Sequence, residues 1–247
     1  MTKLAVQTHT LRNLDVDVTT KLDRIAEAGY EGVQFTPGLE DTEPSELADL
    51  LDDRGLSVAG CHIKQAQFEE DFSGELQRYN ELGTDDLVIS SYGQHGFESE
   101  ATVKDAAADV NDTAQQFAEH GVELHYHNHT YEFVELDGQT GFDIFALGTA
   151  DHLSLEIDTG LAYRGDVDPA ALITQYADRV DLIHLTDTIP GDNATAHIDL
   201  GKGEVDIPAC IEATVDAGAT WLIYENGRTD EPFESIEAAA DVMQQHL

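Results

Sequence analysis

The feature that most restricts the fold is a pattern repeated along the chain. A helix-like stretch runs into Gly, and a few residues later a β-rich run begins. It reads "EAGYEGVQF" at Gly29, "DRGLSVAGCH" at Gly55, "ELGTDDLVIS" at Gly83, "EHGVELHYH" at Gly121 and "DAGATWLIYE" at Gly218. Gly just past a helix end takes the left-handed backbone that closes it, and the short gap suits an αβ connection. Further strand-like runs keep the spacing without the Gly, and the first strand is "KLAVQTH". The helices between them carry 3.6-residue periodicity: Val18, Leu22 and Ile25 on one face, and Val103, Ala107, Val110, Ala114 and Phe117 on another. The count is eight strands, near 3–9, 30–36, 57–63, 86–92, 122–128, 153–159, 180–187 and 221–227, alternating with eight helices. This predicts one α/β domain over residues 1–247, a single (β/α)8 TIM barrel. The alternative, an open doubly wound sheet, carries a Gly-rich phosphate loop after its first strand, and "THTLRNLD" is not one.

Charge narrows the function classes. Fifty acidic residues stand against 12 basic ones, a formal net charge of −38. The acids are spread along helices ("ELADLLDDRG", "KDAAADVNDTAQQFAEHG") instead of gathered in a tail. Such self-repulsion is screened over a Debye length of ~30 Å at 0.01 M salt but ~3 Å at 1 M. The pattern therefore reads as the surface of a halophilic protein from a high-salt cytoplasm. The same field disfavours nucleic acid, whose binding needs Lys and Arg to displace counterions. No apolar run approaches the ~18 residues of a membrane span, and "MTKLAVQTHT" lacks a signal-peptide layout, so a cytoplasmic location is expected. Cys61 and Cys210 sit in apolar contexts and read as buried reduced thiols.

In a (β/α)8 barrel the active site lies at the carboxyl ends of the strands. The unusual residues collect there: His9 ending strand 1, His62 ending strand 3, His127 and His129 on strand 5, Asp158 on strand 6, His184 and Asp187 on strand 7, Glu225 on strand 8. The long loop after strand 7 adds His197 and Lys202. Side-chain parity puts Trp221, Ile223 and Glu225 on one face, Val180, Leu182 and His184 on another, and His125, His127 and His129 on a third. If these faces look into the barrel, imidazoles and carboxylates converge, a donor set for Mn²⁺, Co²⁺, Zn²⁺ or Mg²⁺. Each residue also has a plainer reading. Asp158 before Thr-Gly is a helix-cap candidate, and His184 suits a hydrogen-bonded core position. Glu156 alternates with Asp158 and is taken as a structural or supporting acid. His9, His62 and His197 are weaker candidates for substrate contact, as are Arg164 and Lys202, while His120 and His246 are expected in solvent.

Together "LAVQTHTLR", "IAEAGYEGVQF", "LHYHNHTYEF", "LEIDTGLAYRGDVDPAALI", "VDLIHLTDT", "LGKGEVDIPACI" and "WLIYENG" resemble the sugar phosphate isomerase/epimerase family of xylose-isomerase-like TIM barrels. The resemblance covers nearly the whole chain. It implies one divalent ion, often Mn²⁺, held by a Glu from strand 5, an Asp from strand 6, a His from strand 7 and a Glu from strand 8. By motif, Asp158, His184 and Glu225 match the last three. In the family the ion holds neighbouring carbonyl and hydroxyl oxygens of a keto sugar and acidifies the C–H between them, while two Glu residues move the proton.

Strand 5 departs from that pattern: His127 stands where the epimerases carry Glu, and the nearest carboxylate is Glu132. Either Glu132 folds back as the fourth ligand, leaving His127 or His129 as base, or His127 is itself the ligand; the first is preferred here. Leu161 stands where the apurinic-site endonucleases of the superfamily need a further His, which argues against DNA repair. The expectation is a metal-dependent isomerase or epimerase of a keto/aldo sugar. Glu132, Asp158, His184 and Glu225 would hold the metal, with His127, His129 and Glu225 in acid/base roles. A His-rich strand 5 also resembles inosose dehydratases and enzymes that eliminate aglycones from 3-keto-glycosides, so a lyase is the alternative. A non-catalytic sugar-binding barrel is the third reading. The expected partner is a small-molecule sugar, with no nucleic acid or membrane, and self-association into a homo-oligomer is compatible with the sequence.

Overall fold

The computed structural model describes residues 1–149 and 153–247. Eight parallel strands close into a barrel: β1 (Lys3–Gln7), β2 (Gly32–Phe35), β3 (Ser57–Ile63), β4 (Asp86–Ile89), β5 (Glu123–His127), β6 (Leu153–Asp158), β7 (Val180–Leu185) and β8 (Trp221–Tyr224). Neighbours in the barrel are neighbours in the chain, and β8 closes against β1 with Ala5 opposite Ile223. The (β/α)8 architecture is therefore the one the alternation of strands and Gly-terminated helices dictates. The five repeat glycines, Gly29, Gly55, Gly83, Gly121 and Gly218, all have positive φ. At Gly83 and Gly218 this is the left-handed cap of the preceding helix, a conformation that costs an L-residue roughly 1–2 kcal/mol.

Around the barrel lie α1 (Val18–Glu27), α2 (Pro44–Asp52), α3 (Gln65–Leu82), α4 (Glu100–Ala118), α5 (Gly141–Gly148), α6 (Thr159–Arg164), α7 (Pro169–Gln175), α8 (Ile207–Ala217) and α9 (Pro232–His246). Among the described residues that is one more than expected, because the segment after β6 is two helices. Asp166 takes φ 61° and breaks the first, and Asp168 starts the second by accepting from Ala170 N at 3.0 Å. The periodic face of α4 (Val103, Ala107, Val110, Ala114, Phe117) is buried as anticipated. No described helix is long and apolar enough to cross a membrane.

Strand parity sorts the side chains. Along β7, Ile183 and Leu185 point outward into the helix-facing core, whereas Leu182 and His184 point into the barrel. The lower barrel interior is small and apolar: Ala5, Ala59, Val88, Leu182, Trp221 and Ile223. Trp221 crosses to β2, where a Cβ at Gly32 would sit 2.6 Å from its ring, so Gly is the residue that leaves room for the indole. Above this plug, at the carboxyl ends, the interior becomes polar.

Candidate metal centre

Three strand ends supply one group. Asp158 closes β6 and caps α6: Oδ1 accepts from Leu161 N at 2.7 Å and from Thr186 Oγ1 at 2.6 Å. Asn128, just past β5, ties the two strand ends together by accepting from Asp158 N at 2.9 Å. The other oxygen, Asp158 Oδ2, is buried and has no hydrogen-bond partner. Beside it in register is His184 of β7. Its Nδ1 lies 3.1 Å from Oε2 of Glu225, the residue directly after β8. Glu225 Oε1 lies 2.6 Å from Nδ1 of His9, which sits in the turn following β1 instead of ending the strand. One donor atom each from Asp158, His184 and Glu225 falls within a 4.8 Å span, all three residues buried. An unpartnered buried carboxylate oxygen costs desolvation with nothing in return, and a divalent cation resolves that deficit with oxygen and imidazole donors of this kind. The residues present fit such an ion.

A second group sits one layer deeper on the Nε2 side of the same imidazole. Glu156, fully buried and two residues before Asp158, is placed opposite His127 in the strand register. Its Oε2 lies 2.8 Å from His62 Nε2 and 2.9 Å from His127 Nδ1. Its Oε1 accepts from Gln34 Nε2 and lies 3.3 Å from His184 Nε2. Gln34 Oε1 in turn meets His184 Nε2 at 2.6 Å and Gln7 Nε2 at 2.8 Å. His62, His127, Glu156 and His184 could also gather donors around an ion, sharing His184 with the first group.

Electrostatics separates these groups. Burial alone would raise the carboxyl of Glu156, but the charges of His184 and His62 and the imidazole hydrogen bonds outweigh it and hold it well below the usual range. Glu225 is held down likewise, against its burial, by hydrogen bonds from His184 and His9. Burial opposes charge on His184, yet Glu156 and Glu225 together raise it well above an ordinary histidine. His62 is lowered, chiefly by burial. His129 is pushed down to about 3, chiefly by burial and then by its neighbour His127, so its ring is neutral at physiological pH.

The remaining candidates are placed as follows. Among the described residues Glu132 joins neither group. It lies in a 3₁₀ turn (Thr130–Phe133), accepting from Tyr126 Oη at 2.9 Å and from His129 N at 2.8 Å, and burial raises its carboxyl to about 7. Both carboxylate oxygens are thus taken up by the turn and by Tyr126. His129 stacks on Tyr131 and lies 5.2 Å, ring to ring, from His127. His125 shares the parity of His127 but pairs with Asp86 at 3.1 Å, at the opposite end of the barrel. His197 accepts from Gly227 N at 3.3 Å, close to Glu225. Arg164 spends its guanidinium on Thr188 Oγ1 and on the carbonyls of Ile189 and Asp192, pinning the loop after β7. Lys202 is 70% exposed and paired with Asp199. Asp187 accepts from Gly201 N and Gly203 N, and so organises that same loop. Gln34, Gln7 and Asn128 were not singled out from sequence; an amide on an inward strand position is a signal shared with many ordinary core residues.

The pattern of the Xylose isomerase-like TIM barrel family matches residues 22–246. The rhizopine catabolism protein MocC of Rhizobium meliloti is 26% identical over 251 residues, covering 85% of this chain and 75% of that one. Among solved structures, a sugar phosphate isomerase/epimerase from Parabacteroides distasonis superposes with a TM-score of 0.82 at 23% identity, covering 99% of this chain and 94% of the other. The probable 3-DHS dehydratase AsbF from Bacillus anthracis gives 0.79 at 14% identity, with 98% of each chain covered. At these identities the two structures speak for the fold, and the family pattern, spanning nearly the whole chain, places the protein: it belongs to the Xylose isomerase-like TIM barrel family.

Proposed function

We propose that the protein is a divalent-metal-dependent isomerase or epimerase of a keto/aldo sugar or sugar derivative. The observation that carries this reading is the convergence of Asp158, His184 and Glu225 at the barrel mouth, with Asp158 Oδ2 buried and unpartnered. These three would hold the ion; His127 of strand 5 lies 4.7 Å, ring to ring, from His184, while Glu132 is engaged by Tyr126 and the turn backbone. When bound, the ion supplies Lewis-acid polarisation of a carbonyl, which acidifies the adjacent C–H. Manganese is the proposed ion, and oxygen-rich ligation by Asp158 and Glu225 supports it.

The chain's own groups then move the proton. Glu225, ionised, is a base on one wall, with His9 at 2.6 Å to take up or return a proton. The imidazoles of His127 and His129, the latter held neutral by burial, stand on the strand-5 side and serve the opposite face. Arg164, Lys202 and His197 shape the β7 loop and its approach to Glu225, and His62 with His9 lines the polar layer. The chemistry needs no macromolecular partner; a sugar is the proposed ligand.

A lyase is the second reading, favoured by imidazoles in place of a second carboxylate on strand 5. Elimination needs one base at the α-carbon and one acid at the leaving group, and a neutral histidine supplies the acid only after it has been protonated. Incubation of a keto- and aldo-sugar panel with Mn²⁺ in D₂O separates the two. The isomerase reading expects recovered sugar isomers carrying solvent deuterium. An α,β-unsaturated product replaces it by the lyase, and a protein that binds no divalent ion removes both.

A further inference from the structure

Glu156 is a fully buried carboxylate with hydrogen-bond partners on three other strands, Gln34, His62 and His127, and the reading above gives it no part. Its surroundings dictate proton positions. An ionised carboxylate only accepts, so each ring nitrogen against it donates. His127 therefore carries its proton on Nδ1, 2.9 Å from Glu156, which leaves Nε2 as the lone-pair nitrogen. His184 has Gln34 Oε1 at 2.6 Å and Glu156 Oε1 at 3.3 Å from Nε2, both acceptors, so Nε2 carries a proton, and Nδ1, which donates to Glu225 in the metal-free protein, is the nitrogen an ion would claim in place of its proton. The Gln34 amide has its own orientation fixed at both ends, by Gln7 Nε2 on its oxygen and by Glu156 on its nitrogen.

We propose that Glu156, acting with Gln34, is a positioning residue and not a metal ligand. One buried carboxylate sets the ring orientation of two histidines, keeping a proton on Nε2 of the His184 that would hold the ion by Nδ1 and on Nδ1 of the His127 that would exchange a proton by Nε2. The inference rests on the proposed function for what these histidines do, but not for how they are held. An imidazole whose far nitrogen donates to a carboxylate is a fixed and more basic ligand, and loss of such a partner typically weakens metal affinity about 10–100-fold. The same relay on His127 is the arrangement by which a buried acid orients a general base.

The test uses metal-free protein first. Histidine ring ¹⁵N–¹H correlation spectra are recorded for wild type, Glu156→Gln and Glu156→Leu. Wild type is expected to show the Nδ1–H tautomer at His127 and a protonated Nε2 at His184. Glu156→Leu is expected to move His127 toward the Nε2–H form, with Glu156→Gln, which keeps an acceptor oxygen, lying between; if the leucine variant does not fold, the glutamine variant alone must show the shift. Mn²⁺ titration of the same proteins is then expected to give unchanged stoichiometry with ~10–100-fold weaker binding. Unchanged tautomers in the variants overturn the proposal, as does loss of Mn²⁺ binding as complete as in Asp158→Asn, which would make Glu156 a ligand. Wild type that binds no Mn²⁺ would overturn the proposed function, while the tautomer spectra would still decide the role of Glu156.

Discussion

Along β8, Trp221 and Ile223 pack inside the barrel against Leu182 of β7, and two residues further on the same inward face Glu225 meets His9 and His184. About 6–7 Å of strand separates a layer that works by volume from one that works by partners. The lower layer is interchangeable in kind: any set of side chains that fills the space and leaves Gly32 clear of the indole would plug the barrel. The upper layer is not, because each acid there is matched to particular donors from other strands. Substitutions in the two layers should therefore fail in different measurements.

The largest effect is expected in the upper layer. Glu225→Ala and His184→Ala should lower turnover on the responsive sugar by about 10⁴-fold, the upper range for removing acid/base groups, and abolish bound metal in elemental analysis while denaturation midpoints move little by comparison. Chelation of wild type should reproduce the loss and Mn²⁺ should reverse it. Trp221→Ala tests the other layer. It should destabilise by ~3–5 kcal/mol in denaturant unfolding, as large-to-small core changes do, with metal stoichiometry intact in the folded fraction. Activity loss in the tryptophan variant out of proportion to its unfolding would show that the layers are not separable.

The division into layers is legible in the sequence, because parity is local: strand alternation places Glu225 with Trp221 and His184 with Leu182. The five closing glycines were legible for the same reason, each a backbone requirement written at one position. What sequence could not show is pairing across the barrel. Glu156 had the right parity, but its partners His62 and Gln34 come from β3 and β2, which local pattern cannot bring together. Glu132 was preferred as a ligand by its nearness in sequence to His127; the structure gives its carboxylate to Tyr126 and the turn that His129 begins. His125 shows the limit of parity itself, since it shares a face with His127 yet sits a layer lower, against Asp86.

A third region, the outer surface, carries far more acids than its 12 basic residues can pair, and that excess gives a prediction of intermediate size. With a net charge of −38 the native state repels itself at low ionic strength. Between 0.01 and 1 M KCl the melting temperature should rise by on the order of 5–10 °C, a few kcal/mol at ~2–4 °C per kcal/mol for a chain of this size. Equal melting temperatures would mean the acids are spaced widely enough to be indifferent to screening.

The smallest effect sharpens the contrast at Glu132 and is read from pH. Its carboxyl is raised to about 7 by burial, so the folded state prefers the neutral acid. Stability from this preference is fully present below the unfolded value near 4.5 and is lost as pH rises through about 7. Glu132→Gln, which imitates the neutral form, should therefore match wild type below about pH 4 and exceed it by up to about 3 kcal/mol at pH 8–9. The comparison belongs in metal-free protein, with denaturation midpoints taken across that range. Parallel curves would mean that the carboxylate stays ionised throughout, despite burial beside Tyr126. A carboxylate already ionised without the metal is in the state a ligand needs, and Glu132 would return as a candidate fourth ligand beside Asp158, His184 and Glu225.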